Sequence, residues 1–511
     1  MGVFEPFQFQ KEAVAKALEQ PRVRLLLADD VGLGKTIQVG MILSELARRG
    51  RAARILVLAK KSMLNQFQAE LWNRFTIPLT RLDSVGIARL RRRIPLNKNP
   101  FEIFQRVIIS IDTLKTSQYR HFLEKTKWDV VVIDEAHNVA GASVPERHLS
   151  HKLAQLLANT AENLLLTTAT PHNGKARTFG QLISLLEPSA IADPNLTEYS
   201  ADDIKPYFLM RFKEDIRSQL SEHLQEREVV PLAKTTAPAS AEEEKVFEQL
   251  SKIREFTKNG GRQNTLLEYG IYKLFLSSPD ACRVSLEKRL KELAKTSEKE
   301  DEESLLLELK SALGKQSLRG STRFATLLRE LKEIGIDCKR NSPRVVIFTE
   351  FRETQNALAL ALAEEFGIGK PSFKEDEQPK QPIAVMHGSF SDTGLSNLVE
   401  SFATGNSPIR VLIATDVASE GINLHHQCNQ LIHYDLPWSI ITTIQRNGRI
   451  DRFGQKEKPY IRYLISASQN PDFFGDMQIF EKLIEKVEQI NHTRTAKESV
   501  LKLYDEKKEE A

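Results

Sequence analysis

Leu25-Leu26-Leu27-Ala28-Asp29-Asp30-Val31-Gly32-Leu33-Gly34-Lys35-Thr36-Ile37-Gln38-Val39-Gly40-Met41 decides the fold. An apolar strand runs into a Gly-rich turn, Lys-Thr follows, and a helical stretch begins. That is the order a phosphate-binding loop requires. Glycines let the loop wrap phosphates with its backbone N–H groups, with nucleotide contacts expected at Asp29, Asp30, Gly32 and Gly34. The helix N-terminus favours the negative charge, Lys35 reaches the β/γ oxygens, and Thr36 ligates Mg²⁺. The strict pattern has Gly or Ala five residues before Gly34, where this chain has Asp29. A chance glycine turn is the alternative, and the flanking strand and helix count against it.

Outward from this loop, residues 1–232 alternate short β-branched runs with helical stretches. The runs are Arg24–Ala28, Ile55–Ala59, Val107–Ile111, Val130–Ile133 and Leu164–Thr167. Such alternation predicts a parallel sheet covered on both faces. Residues 233–321 differ, being rich in Lys, Glu, Leu and Ala, with a dense charged stretch at 295–304. They read as a helical insert. From Thr322 the alternation returns, with strands expected at Arg344–Phe348, Ile383–Met386, Arg410–Ala414, Gln430–His433 and Tyr460–Leu464. Gly367–Pro382 reads as a surface loop. The expected class is α/β: two lobes with parallel sheets (1–232 and 322–485), a helical insert at 233–321 and a charged helical tail at 486–511.

Val130-Val131-Val132-Ile133 is a buried-strand run, and Asp134-Glu135-Ala136-His137 follows at its C-terminal end. Open α/β sheets place ligands at that end. Asp134 is expected to hold Mg²⁺ and Glu135 to polarise the attacking water, since phosphoryl transfer needs positioning and charge neutralisation more than covalent chemistry. Leu164-Leu165-Leu166-Thr167-Thr168-Ala169-Thr170-Pro171 is a second strand ending in small hydroxyl residues. Thr168 and Thr170 there are expected to bond His137 and relay the nucleotide state. An ordinary strand-to-loop turn is the bland alternative.

The second lobe carries Ala414-Thr415-Asp416-Val417-Ala418-Ser419-Glu420-Gly421 and Gln445-Arg446-Asn447-Gly448-Arg449-Ile450-Asp451-Arg452. Arg449 and Arg452 are three apart, so on a helix both face one way. Two guanidinium groups so placed suit a γ-phosphate, and such fingers are worth about 10³–10⁵ in rate. Solvated arginines on a helix surface are the alternative; the phosphate loop and acidic pair weigh against it.

Bulk properties set few limits. The chain has 511 residues, with 41% apolar and 27% charged, the balance of a globular protein. Net charge is only +4, so nucleic-acid binding rests on local features. The run Arg89-Leu90-Arg91-Arg92-Arg93 is either a solvated face or a phosphate contact. Cys282, Cys338 and Cys428 are scattered and suggest neither a zinc site nor a disulfide framework. No stretch reads as membrane-spanning and the first ten residues do not read as a signal peptide, so a cytoplasmic protein is expected.

With the motifs in this order, the chain resembles superfamily-two helicases, and within them the Swi/Snf ATPase family. The marks are Ala28 to Thr36, whose Asp29 is typical of that family, then Asp134-Glu135-Ala136-His137 (the DEAH box), Thr168-Ala169-Thr170-Pro171, Arg211-Phe212-Lys213-Glu214-Asp215, and Arg449 through Gln455. The resemblance implies two RecA-like lobes, ATP and Mg²⁺ as cofactors, and nucleotide contacts at Glu420 and Gly421, with Gln445 in coupling. Pro6-Phe7-Gln8 looks like the family's adenine-reading element, with Gln8 as reader. Asp435-Leu436-Pro437-Trp438 before Gln445 is similar to prokaryotic members, RapA-like proteins and the DISARM-type phage-defence motor. Lys60, where the family has proline, is a departure.

The expected activity is ATP-driven translocation on double-stranded DNA. Nucleic acid is expected on Lys60, Lys61, Ser62, Gln66, Ser110, Thr349, His387, Gly388 and Thr415, through backbone contacts that tolerate all sequences. A targeting partner in a transcription or phage-defence complex is also expected. The rivals are a strand-separating DNA or RNA helicase and a nucleotide-gated binding switch with little turnover.

Overall fold

The computed structural model describes residues 5–95, 98–141, 145–169, 176–212, 216, 227–260, 262–294, 300–314, 316–416, 422–452, 454–473, 475–477 and 479–483. The expected tail at 486–511 lies outside them. Packing divides the described residues into two compact units, 5–216 and 227–483.

Among the described residues the first unit holds seven strands: β1 (Arg24–Leu27), β2 (Ile55–Ala59), β3 (Thr80–Leu82), β4 (Arg106–Ser110), β5 (Trp128–Ile133), β6 (Ala161–Thr167) and β7 (Phe208–Leu209). Their order is β3-β4-β2-β5-β6-β1-β7, and every pairing is parallel. Strands buried on both faces read as unbroken apolar runs, which is why the phosphate-loop strand and Val130–Ile133 were legible. Side chains alternate across the sheet. Leu26, Leu56, Val131 and Leu164 join one core, and Leu25, Val57, Val130 and Leu165 join the core on the opposite face.

The second unit holds β8 (Glu228–Val229), β10 (Val345–Phe348), β11 (Ile383–Met386), β12 (Val411–Ala414), β13 (Gln430–His433) and β14 (Tyr460–Tyr463), in the order β11-β12-β10-β13-β14-β8 and again parallel. A small parallel pair joins β9 (Thr236–Pro238) to β15 (Ile465–Ala467). The expected lobe boundary at 232 therefore shifts: Glu228–Val229 already pairs with β14 of the second sheet. Two residues carry too little pattern for this strand to be read from sequence.

The insert comprises helices Ala241–Gly260, Arg262–Ser277, Pro279–Leu293 and Glu300–Leu313. They share a core of Phe247, Leu250, Phe275, Leu286, Leu306 and Leu309, which Phe473 joins and against which Trp438 packs. Tyr272 Oη donates to the Gly475 carbonyl (2.8 Å) and Ser468 Oγ to Glu244 (2.8 Å), so the insert is fastened to the rest of the second unit. Gly367–Pro382, expected as a loop, contains the 3₁₀ helix Glu375–Lys380, held by buried Gln378, which accepts from Val385 N (2.8 Å). Among the described residues no helix is long and apolar enough to cross a membrane.

Candidate nucleotide site and nucleic-acid face

Each candidate group of the first unit sits where a parallel strand ends. After β1 the loop is pinned from beside, with Ala28 N donating to Leu209 O (2.7 Å) and Asp30 N to Arg211 O (2.9 Å). Gly32 and Gly34 take φ of +88° and +81°, which favours glycine. Gly34 is the N-cap of helix Lys35–Arg48, which has no acidic residue in its first turn. An uncapped helix start with bent glycines before it suits a polyphosphate. Lys35 Nζ donates to the carbonyls of Asp29 (2.7 Å) and Asp30 (3.3 Å), folded back over the loop. Burial lowers its pKa, against the pull of Glu135, Asp30, Asp29 and Asp134.

Asp29 was expected among the nucleotide contacts, and its side chain points elsewhere. It is fully buried, with Oδ2 accepting from Gln38 Nε2 (2.7 Å) and Arg211 Nη2 (2.7 Å), and Oδ1 from Arg211 Nε (3.1 Å). Arg211 also lies over the Phe9 ring at 5.1 Å and donates to Phe9 O. The carboxylate anchors the loop from behind, because a buried charge needs its partners. Asp30 Oδ1 accepts from Val31 N (2.7 Å) within the turn.

Gln8 is also corrected. Its side chain is exposed on helix Gln8–Glu19, whereas Gln10 is buried. Gln10 Nε2 donates to Leu33 O (3.3 Å) and its Oε1 accepts from Phe7 N (3.2 Å). A Cβ on Gly34 would lie 2.9 Å from that amide nitrogen, so glutamine and loop are in close contact. Two glutamines two residues apart face different ways on a helix, and the register turns Gln10 inward.

The acidic pair follows β5, with Asp134 N donating to Leu58 O (2.8 Å). Burial, and then the charge of Glu135, push Asp134 above the usual carboxylate range. Burial opposes the charge of Glu135, yet His137, Lys35 and Lys60 hold that carboxyl below the usual range. Glu135 adopts φ +49°, and its carbonyl accepts from Asn138 N (3.0 Å) and Nδ2 (2.8 Å). The end of β6 ties the parts together. Thr167 Oγ1 donates to Asp134, Thr168 N donates to Leu27 O at the end of β1 (3.0 Å), and Thr168 Oγ1 bonds His137 Nδ1 (3.0 Å), which stands 3.2 Å from Glu135 Oε2. Thr36 and Asp134 offer the hard oxygen ligands that Mg²⁺ takes alongside phosphate and water. Thr170 lies outside the described residues.

In the second unit, helix Ile440–Asn447 stops at Gly448, so Arg449 and Arg452 occupy the turn beyond it, not a helix face as expected. Arg449 is buried and its Nη1 donates to Ile422 O (3.3 Å); Arg452 Nη1 donates to Asn423 Oδ1. Gln455 Nε2 closes the turn on Cys428 O (2.9 Å) and Ile450 O (3.1 Å). Gln445 is half-buried. Its neighbour Arg446, which sequence reasoning passed over, is 1% exposed and grips Asp416 through Nε (2.5 Å) and Nη2 (2.9 Å). Glu420 and Gly421 lie outside the described residues.

Four of the expected nucleic-acid residues are buried. Ser110 is spent on the helix cap at Thr113 N (3.1 Å), Thr349 donates to Asp435 (2.6 Å), His387 packs on Phe390 (4.2 Å between rings), and Thr415 lies at the end of β12. Their side chains are not surface contacts: hydroxyls and imidazole at strand ends are drawn into local bonding and packing. Lys61 and Gly388 are exposed, Lys60 and Gln66 half-buried, and Ser62 stands in the turn Lys61–Met63.

Comparison with known proteins gives the same order of parts. Residues 9–253 match the SNF2-related domain and residues 323–454 the helicase conserved C-terminal domain. The chain is 26% identical over 506 residues to "Uncharacterized ATP-dependent helicase YqhH" of Bacillus subtilis, covering 95% of this chain and 81% of that protein. It is 28% identical over 479 residues to "RNA polymerase-associated protein RapA" of Vibrio campbellii, covering 87% of this chain and 46% of that protein, so it spans about half of the RapA length. A solved "Sulfolobus solfataricus SWI2/SNF2 ATPase core in complex with dsDNA" matches 91% of this chain and 90% of its own at 18% identity and a TM-score of 0.39. Two parallel-sheet units, a phosphate loop joined to an acidic pair through one strand end, and two domain matches in chain order lead to one conclusion: the chain belongs to the SNF2-related ATPases of helicase superfamily two.

Proposed function

We propose that the chain hydrolyses Mg-ATP at the C-terminal edge of the first sheet and uses turnover to travel along double-stranded DNA, displacing or remodelling complexes bound there. The observation that carries the chemistry is the Thr167–Thr168 junction, whose bonds reach β1, Asp134 and His137 at once. A strand end so placed feels both the phosphate loop and the acidic pair. In this reading the loop from Asp30 to Gly34, Lys35 and Thr36 hold the polyphosphate, and Thr36 and Asp134 hold the metal. Glu135 orients water, and Arg449 and Arg452 supply charge to the transition state. The metal would neutralise charge on the phosphates.

Duplex DNA as the track is supported by the Swi/Snf-type motifs. RapA relatives are named as associated with RNA polymerase, which supports a transcription complex as partner; a phage-defence complex is the second choice. Three free cysteines support a reducing cytoplasm. The test is ATP turnover with no nucleic acid, single-stranded DNA, duplex DNA and RNA. Duplex DNA should stimulate most. Equal or greater stimulation by single strands would favour a strand-separating helicase, and negligible turnover on all four a nucleotide-gated switch.

A further inference from the structure

The second insert helix, Arg262–Ser277, ends at the dipeptide Ser277-Ser278 because Pro279 opens the next helix with Ser278 as its cap. Both serines are buried at 2% exposure, and their hydroxyls enter a chain of bonds. Ser277 Oγ donates to Asp435 Oδ2 (2.7 Å) and lies 2.7 Å from Thr354 Oγ1, which lies 2.7 Å from Ser278 Oγ. Each hydroxyl has one proton. With Ser277 donating to a carboxylate, Thr354 must donate to Ser277, and Ser278 to Thr354. Asp435 also accepts from Thr349 Oγ1 (2.6 Å) and Glu350 N (3.0 Å), while Lys273, one turn before Ser277, donates to Glu350 Oε1 (2.6 Å).

Asp435 is one of two acidic residues that hold Arg446. Arg446 Nη1 donates to the Asp435 carbonyl (3.1 Å) and stands 3.7 Å from its carboxylate, while Asp416 takes Nε and Nη2. The guanidinium lies 5.5 Å over the Phe348 ring. The Arg446 carbonyl in turn accepts from Arg449 N (3.1 Å), the first bond of the turn that carries Arg449 and Arg452. An unbroken series of bonds thus runs from the insert to that turn.

We propose that Ser277 is a positioning residue for ATP turnover: it fixes Asp435, hence Arg446, hence the turn bearing Arg449 and Arg452. This rests on the finger role given to those arginines above. The insert is then part of the hydrolytic apparatus and its second helix a place where turnover can be set. A purely structural role for Ser277 would fasten the insert without touching kcat.

The experiment is a double-mutant cycle on nucleic-acid-stimulated ATP turnover by the full chain, with kcat normalised to folded protein. Ser277→Ala should lower kcat about fivefold while KM for ATP stays within about twofold, and should cost nothing further in an Arg449→Ala background, since coupled residues are non-additive. Wild-type kcat in Ser277→Ala, or the same fivefold loss persisting in the Arg449→Ala background, overturns the proposal. Wild-type kcat in both Arg449→Ala and Arg452→Ala removes the finger reading and this inference with it. If Ser277→Ala does not fold, Lys273→Met, at a part-exposed site, is read through the same cycle with the same outcomes.

Discussion

Lys35 holds two loop carbonyls that phosphate oxygens would replace as its partners, and Glu135 is the charged group that His137 and Lys35 keep ionised. These two residues should fail differently. Lys35→Ala removes binding charge and transition-state charge together, so hydrolysis should vanish and nucleotide binding weaken. Glu135→Gln keeps the shape and the metal ligand but loses the carboxylate that orients water, so Mg-ATP should still bind while turnover falls by about a hundredfold. Fluorescent-nucleotide titration beside steady-state kcat checks both. Turnover of Glu135→Gln within about threefold of wild type would contradict the assignment.

At the scale of elements, the phosphate loop is steadied from behind by one ion pair. Asp29 is fully buried and Arg211, just after β7, supplies two of its three donors. Removing one partner of a buried pair strands the other charge, at a cost of about 3–5 kcal/mol. Arg211→Ala should therefore destabilise the first unit by that amount in urea unfolding, and the Asp29→Ala, Arg211→Ala pair should cost less than the two single changes added. A loss under about 1 kcal/mol would show that the pair is not holding the loop. Much of this architecture was legible. Ile55–Ala59, Ile383–Met386 and Gln430–His433 fall where the apolar runs put them, because strands buried on both faces leave a continuous signal. Edge strands β7 and β8 left none, being two residues each. In the site, the sequence pattern located the Gly-rich loop after β1 and Asp134-Glu135 after β5, but could not say that Asp29 turns toward Arg211 or that Gln10 rather than Gln8 meets the loop. Those depend on helix register and on partners about 180 residues away. Burial of Thr349 and His387 was illegible for the same reason: a polar residue at a strand end looks alike whether it meets solvent or a buried neighbour.

For the whole molecule, the question is whether movement along a duplex separates its strands. Among the described residues the insert helices are the candidate for a wedge, and they bury Phe247, Leu250, Phe275, Leu286, Leu306 and Leu309 in a core of their own with Phe473, leaving Tyr269, Val284 and Leu307 exposed. The protein should displace the third strand of a triplex, which needs only travel along the duplex, and should leave a forked duplex intact. Activity should fall as salt rises, since phosphate contacts release counterions. Efficient ATP-dependent release of a fork strand would sink this reading. The strand pairing also sets an order of assembly. The first sheet has all its strands once Leu209 has been synthesised, but β8 waits for Tyr460 and β9 for Ile465. At about 5–20 residues per second, that wait on the ribosome is roughly 10–50 s. Until then β8 presents an unpaired edge, the kind of surface on which nascent chains aggregate. A chain cut before residue 460 keeps that edge permanently, so any fragment meant to fold as the second unit has to carry both Glu228 and Ala467.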